Sequence, residues 1–314
     1  MSFDPPTSPD FPAVAAGPIR HATLIVADTA PLVAAYAHLG LVPTDEARID
    51  ADRAAAWGAA ASALAGCRDL WLGPAGAPPL LHLIERPGTA ARPTRREHGW
   101  LALEILVRDV DAIAARLAAA GGGGFELVGP PADLDVSPAI RAMQLVGPAG
   151  EMLYLTQVKA AVPPFAIPLS YTLPVERDLG ALFIAVLSTP SREATLTACA
   201  KLGAGAMLRF DTRITVLNRA LGRPIETRWP VATVQWAGES LFEIDEVVAD
   251  EMRPATPALG AGLPAGLAWV TMQGSDADTS PALRELSPGA WLECEPLLSA
   301  ALSPRTDSAP PAAA

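Results

Sequence analysis

Cysteine is nearly absent: among 314 residues only Cys67, Cys199 and Cys294 carry a thiol. Three scattered cysteines, odd in number, build neither a disulfide framework nor a zinc cluster and suit a reducing compartment. Charge is also scarce at 18%, below the roughly 25% of an average soluble domain. The shortage is greater on the basic side, with 23 Lys and Arg against 34 Asp and Glu, and no Lys/Arg cluster offsets the net charge of -11. Such a chain repels a phosphate backbone, so nucleic acid is not an expected partner. No run of about 18 residues is apolar and free of charge and proline, so no membrane span is expected. The opening MSFDPPTSPDFPAVAAGP lacks a basic patch and an apolar stretch, so it reads as a disordered leader rather than a secretory signal, and the cytoplasm is the expected location.

Apolar residues make up 50% of the chain, enough for a large core, and the length suggests two domains. The run HATLIVADTAPLVAAYAHLG reads as a strand to Val26 followed by a helix from Thr29 with apolar residues at 3 to 4 spacing. ALEILVRDVDAIAARLAAAGG repeats the design, as do LFIAVLSTPSREATLTACAKLG and, more weakly, LAWVTMQGSDADTSPALREL. The copies align His21, Ala102, Leu182 and Leu267, and begin about 80 residues apart, too long for solenoid units. Closing turns repeat too: GPAG precedes LLHLIE and again EMLYLTQV. Four strand-helix-strands modules are therefore expected, an α+β chain of paired βαβββ units with the fourth truncated. A Pro-rich linker at 161–177 separates a paired-module domain at 18–160 from a second at 178–302, between a disordered leader at 1–17 and a disordered tail at 303–314.

A module that opens on a His-initiated strand ending in Asp, continues in a helix and closes with Gly-Pro-x-Gly and an apolar strand resembles the vicinal oxygen chelate superfamily. That group includes glyoxalase I, extradiol dioxygenases and bleomycin-resistance proteins. The resemblance implies that two modules curl into a half-barrel whose concave face holds a divalent metal, with ligands from opening and closing strands. Carried over, these positions are His21 and His82 in the first module and Ala102 and Tyr154 in the second. The second domain places Leu182, Phe242 or Glu243, Leu267 and Glu293 there, and it contains no histidine. If modules one and two pair, the implied ligands are His21, His82 and Glu104, the last sharing a strand face with Ala102 and Trp100 by period-2 alternation. If module one pairs with module four, they are His21, His82 and Glu293. Either set suits Fe, Mn, Zn or Ni.

Around these, Tyr154, Trp100, Arg141, Gln144 and Trp57 are candidate cavity residues: Glu104 and Tyr154 for proton transfer, Arg141 as an anchor for an anionic group, Trp57 over the mouth. His38 and His98 read as solvated, the pair Arg95-Arg96 as a turn and Gly121–Gly124 as a helix stop. Three functions are open: a metal-dependent lyase, isomerase or dioxygenase acting on a small substrate with adjacent oxygens; a metal-free binding protein of the bleomycin-resistance kind; and a metal-free Glu/Tyr acid-base enzyme. A small-molecule ligand and a monomer or homodimer are expected in each.

Overall fold

The computed structural model describes residues 16–134, 137–248, 250–274 and 281–295. The expected leader before residue 16 and the tail lie outside the described residues. Module one comprises β1 (Ile19–Val26), α1 (Ala30–Ala37), β2 (Leu41–Arg48), α2 (Ala51–Ala56), β3 (Arg68–Pro74) and β4 (Leu81–Glu85). Module two follows with β5 (Gly99–Val107), α3 (Val110–Ala119), β6 (Glu126–Leu134), β7 (Ser137–Val146) and β8 (Met152–Val158). Module three is β9 (Leu179–Thr189), α4 (Arg192–Lys201), β10 (Met207–Arg213), α5 (Thr215–Leu221), β11 (Arg228–Trp236) and β12 (Ser240–Glu246). Module four contributes β13 (Gly266–Gln273), β14 (Arg284–Ser287) and β15 (Ala290–Glu295).

Equivalent helices start on equivalent chemistry. The Asp109 carboxylate accepts from the Ala112 N–H at 3.0 Å and the Ser191 hydroxyl from the Ala194 N–H at 3.3 Å, each filling an N-terminal donor the helix leaves unpaired. All of Gly121–Gly124 take positive φ after α3, as a helix stop requires.

The strands form a seven-stranded sheet in the order β14-β15-β13-β1-β4-β3-β2 and an eight-stranded sheet in the order β10-β11-β12-β9-β5-β8-β7-β6. Modules one and four therefore share the first sheet, and two and three the second. Each is joined through its opening strands, β1 against β13 and β5 against β9, both antiparallel. The sheets thus do not follow the sequential grouping of modules one with two; the alternative pairing of module one with module four is the one formed.

Three cores follow from this. One takes residues from both sheets and from α1, α3 and α4, among them Leu32, Tyr36, Ile113, Leu117, Leu196 and Trp100. A second lies against the other face of the eight-stranded sheet, with Ala102, Val186, Val231 and Leu241. The third covers the other face of the seven-stranded sheet, where Trp57, Ala61 and Leu64 pack over Ile25, Ile84 and Trp269. Between modules two and three, Ile167, Phe165 and Leu169 pack on the second core, so the Pro-rich segment covers a sheet face.

Candidate active site in the first half-barrel

Alternation along the strands puts His21 and Thr23 of β1, His82 of β4, Asp69 and Trp71 of β3, Trp269 and Thr271 of β13 and Glu293 and Glu295 of β15 on one face of the first sheet. Register brings three of them into a row: His21 lies opposite Thr271, and Thr271 opposite Glu293. Ligand atoms of His21, Glu293 and Glu295 all lie within 4.8 Å of one another, the one such His/Cys/Asp/Glu group among the described residues.

Burial, then the charges of His82, Arg53 and Arg20, holds the His21 imidazole well below its ordinary pKa, so it is neutral near pH 7 with a lone pair to offer. Among the described residues no side chain hydrogen-bonds it; its ring meets Trp71 edge-on at 4.7 Å. Glu293 is held from three sides. Its carboxylate accepts from the Trp57 indole N–H at 2.6 Å, the Trp269 indole N–H at 3.2 Å and the Thr271 hydroxyl at 2.7 Å. A carboxylate has about four lone-pair sites, so one is left. Burial raises the Glu295 pKa, and the neighbouring Glu293 charge adds to it. Two carboxylates facing a neutral, unpartnered imidazole are a donor set that fits a divalent cation.

His82 is differently engaged. One ring nitrogen meets the Asp69 carboxylate at 2.5 Å and the other the Thr23 hydroxyl at 3.0 Å, while the ring stacks on Trp71 at a centroid distance of 4.2 Å. Burial lowers its pKa against the pull of Asp69. With both nitrogens occupied, His82 supports the site from behind instead of joining the ligand set expected from sequence. Burial pushes the Asp69 pKa up, but the bonds and charges of His82 and Arg53 outweigh this and leave it lowered. Arg53 reaches Asp69 at 2.7 Å from α2 and lies over the Trp57 ring at 4.8 Å, closing one side.

Glu104 lies in the other sheet, bonded by the Thr156 hydroxyl at 2.6 Å, and does not complete the set with His21 and His82. Trp100 does not share its face. A register shift between Trp100 and Ala102 turns the indole into the core between the sheets, where its N–H donates to the Trp291 carbonyl. Tyr154 pairs with Glu104 and Gln144 with Tyr154 on the second sheet. Arg141 is bound by Asp111 at 2.8 Å and Asp133 at 3.4 Å, an outward-facing ion-pair group and not a substrate anchor. His98, expected in solvent, is 4% exposed and lies 3.3 Å from the Ser188 hydroxyl. Trp57 is buried and donates its indole N–H to Glu293.

Sequence reasoning passed over Glu295, Asp69, Arg53, Trp71 and Trp269. One signal was present: LECE and FEID each set two acids two residues apart in an apolar closing strand, which places both on one face.

Neither a family model nor a curated protein matches this sequence. Solved structures do. The chain matches a putative dioxygenase from Bacillus subtilis subsp. subtilis str. 168 with a TM-score of 0.53 and 13% identity, over 84% of this chain and 72% of that one. A mutant glyoxalase I from Zea mays matches with a TM-score of 0.50 and 15% identity, over 81% and 74%. The fold is that of the vicinal oxygen chelate superfamily. At such identities the shared property is the fold, since this scaffold hosts many chemistries. No helix among the described residues is long and apolar enough to cross a membrane.

Proposed function

We propose that the first half-barrel is a metal-dependent active site in which His21, Glu293 and Glu295 hold a divalent Fe, Mn, Zn or Ni ion, and that the protein is an enzyme acting on a small organic molecule with adjacent oxygens. The observation that carries this is the His21 imidazole, buried and unbonded, with two carboxylates within 4.8 Å. When bound, the cation supplies Lewis-acid polarisation of a carbonyl or enolate oxygen. The chain's own groups do the rest. Trp57, Trp269 and Thr271 fix the Glu293 carboxylate in one orientation, as outer-shell donors do for metal ligands. Arg20 and Arg53 place positive charge by the site, as their action on both His21 and Glu295 shows, and suit an anionic substrate oxygen. Trp57 and Trp71 exclude water from one wall. Isomerase and lyase chemistry match this layout, since both need an oxygen polarised and a proton moved nearby.

A metal-free binding protein is the second reading. It is favoured by the three donors on Glu293, which satisfy that carboxylate without an ion. Titrating chelator-treated protein with Mn(II), Fe(II), Ni(II) and Zn(II) while following tryptophan fluorescence separates the two. Saturable change at one ion per chain, lost in His21→Ala, is expected. A flat response to all four ions in folded protein would leave the binding reading.

A further inference from the structure

The concave face of the second half-barrel carries a polar cluster that the proposed active site does not use. Glu104 stands on β5, Tyr154 and Thr156 on β8, Glu243 and Asp245 on β12 and Thr233 on β11. Register places them together: Glu104 lies opposite Tyr154, and Thr233 opposite Glu243. Asp245 sits two residues beyond Glu243, opposite Val231 of the second core and Ser188 of β9. Glu104 and Asp245 are 8% and 0% exposed, whereas Glu243, Tyr154 and Gln144 are half-buried.

Among the described residues no positive group acts on the cluster. Among the described residues neither buried Asp245 carboxylate oxygen has a hydrogen-bond partner, and nor does the Thr233 hydroxyl, on a side chain 9% exposed that stands across from Glu243. Burial is the main influence on each acid, and the nearby charges acting on them are other acids. Glu243 acts on Glu104 and on Asp245, and all three carboxyls act on the Tyr154 hydroxyl. Ser188, the polar neighbour of Asp245 on β9, turns to the Met252 sulfur and lies by His98. Leaving such oxygens unpaired costs about 1–3 kcal/mol each, so the face is chemically incomplete as it stands.

Positive charge completes it, and the spacing says of what kind. The carboxylates of the first half-barrel close to the distances that one metal ion takes, but Glu104, Glu243 and Asp245 do not form such a group. A wider ring of acids, with an unpaired hydroxyl beside it and half-buried Phe165, Phe210 and Ile140 packed against the same core, matches an organic cation: N–H donors for several oxygens and an apolar body for the walls. We infer that the second half-barrel binds a small organic ammonium or amidinium compound, its N–H groups meeting Asp245, Glu243 and Glu104 and its apolar part facing the second core.

Isothermal titration of the whole protein with benzylamine, butylamine and benzamidine tests this, with benzyl alcohol as the uncharged control and Ca(II) and Mn(II) in separate arms. Saturable binding of at least one of the three cations is expected at one per chain, with no binding of benzyl alcohol. Asp245→Asn should weaken it at least tenfold, and Thr233→Val, a milder change, should weaken it measurably. His21→Ala should leave it unchanged, which separates this site from the proposed metal site. Circular dichroism confirms that each variant is folded. Failure of all three cations to bind, equal binding to folded Asp245→Asn, or Asp245-dependent binding of Ca(II) or Mn(II) with no amine binding would overturn the inference.

Discussion

A carboxyl inside LALEILV must find a cation or keep its proton, and in the chain without a ligand Glu104 keeps its proton near pH 7. Burial, with Glu243 adding to it, pushes its pKa up to about 8 despite the Thr156 bond. Glu151, bonded by the Tyr36 hydroxyl, and Glu243 rise to about 7, again mainly through burial. The ordinary glutamate value is 4.5, so between there and about 8 these glutamates bind more protons in the folded chain than in the unfolded one, and above about pH 6.5 the histidines, lowered by burial, no longer oppose them. Stability therefore falls as pH rises through that window, and the penalty is complete above it. The free energy of unfolding from urea titration is expected to drop between about pH 6.5 and pH 8, by roughly 2–4 kcal/mol if the glutamates act together. Glu104→Gln, which stays neutral, should flatten the curve; an unchanged slope would show that Glu104 is solvated. That this residue was unusual was legible in its apolar surroundings. Its remoteness from His21 was not, because that depends on which strands meet.

At the scale of elements, one extra residue decides a great deal. The shift between Trp100 and Ala102 in the β5–β9 pairing reverses the face on which Trp100 falls, while Ala102 and Glu104 keep theirs. Strict alternation assigns all three to one face, and a bulge leaves no mark in composition. The segment before β5 presents a comparable feature. Arg92 is 1% exposed and ties the two sheets together, donating to the carbonyls of Trp100 at 3.2 Å on β5 and Leu267 at 2.9 Å on β13. Its charge partner is Glu97 at 3.3 Å, also buried. Arg92→Met should cost about 3–5 kcal/mol because it removes the buried charge partner of Glu97, which keeps only the Thr256 N–H and hydroxyl and the exposed Arg253 at 3.7 Å. Arg92→Met with Glu97→Gln should cost clearly less than the two single changes summed, as measured by denaturant unfolding; simple additivity would show that the pair does not couple.

Across the whole molecule, the modules were legible and their partners were not. Repeated strand-helix starts and GPAG turns mark four units, but every opening strand is mostly apolar, and nothing in such edges distinguishes β1 meeting β13 from β1 meeting β5. Proximity in sequence suggested two consecutive domains; the sheets instead interleave, with module one completed by module four. A chain ending at residue 160 therefore lacks β13, which covers the edge of β1, and β15, which supplies Glu293 and Glu295. That fragment is expected to give no cooperative thermal transition on its own and to recover one when the segment from 161 onward is supplied. A fragment that folds alone would contradict the interleaved arrangement.

The interleaving also makes the proposed active site a property of both ends of the chain, with His21 from the first module and both carboxylates from the last. Elemental analysis of untagged protein, before and after incubation with Fe(II), Mn(II), Ni(II) and Zn(II), tests this most directly when run beside His21→Ala and Glu293→Gln. Close to one divalent ion per wild-type chain is expected and little in either folded variant, with His82→Gln retaining more than both. Metal absent from wild type under every condition, or retained fully by His21→Ala, would contradict it.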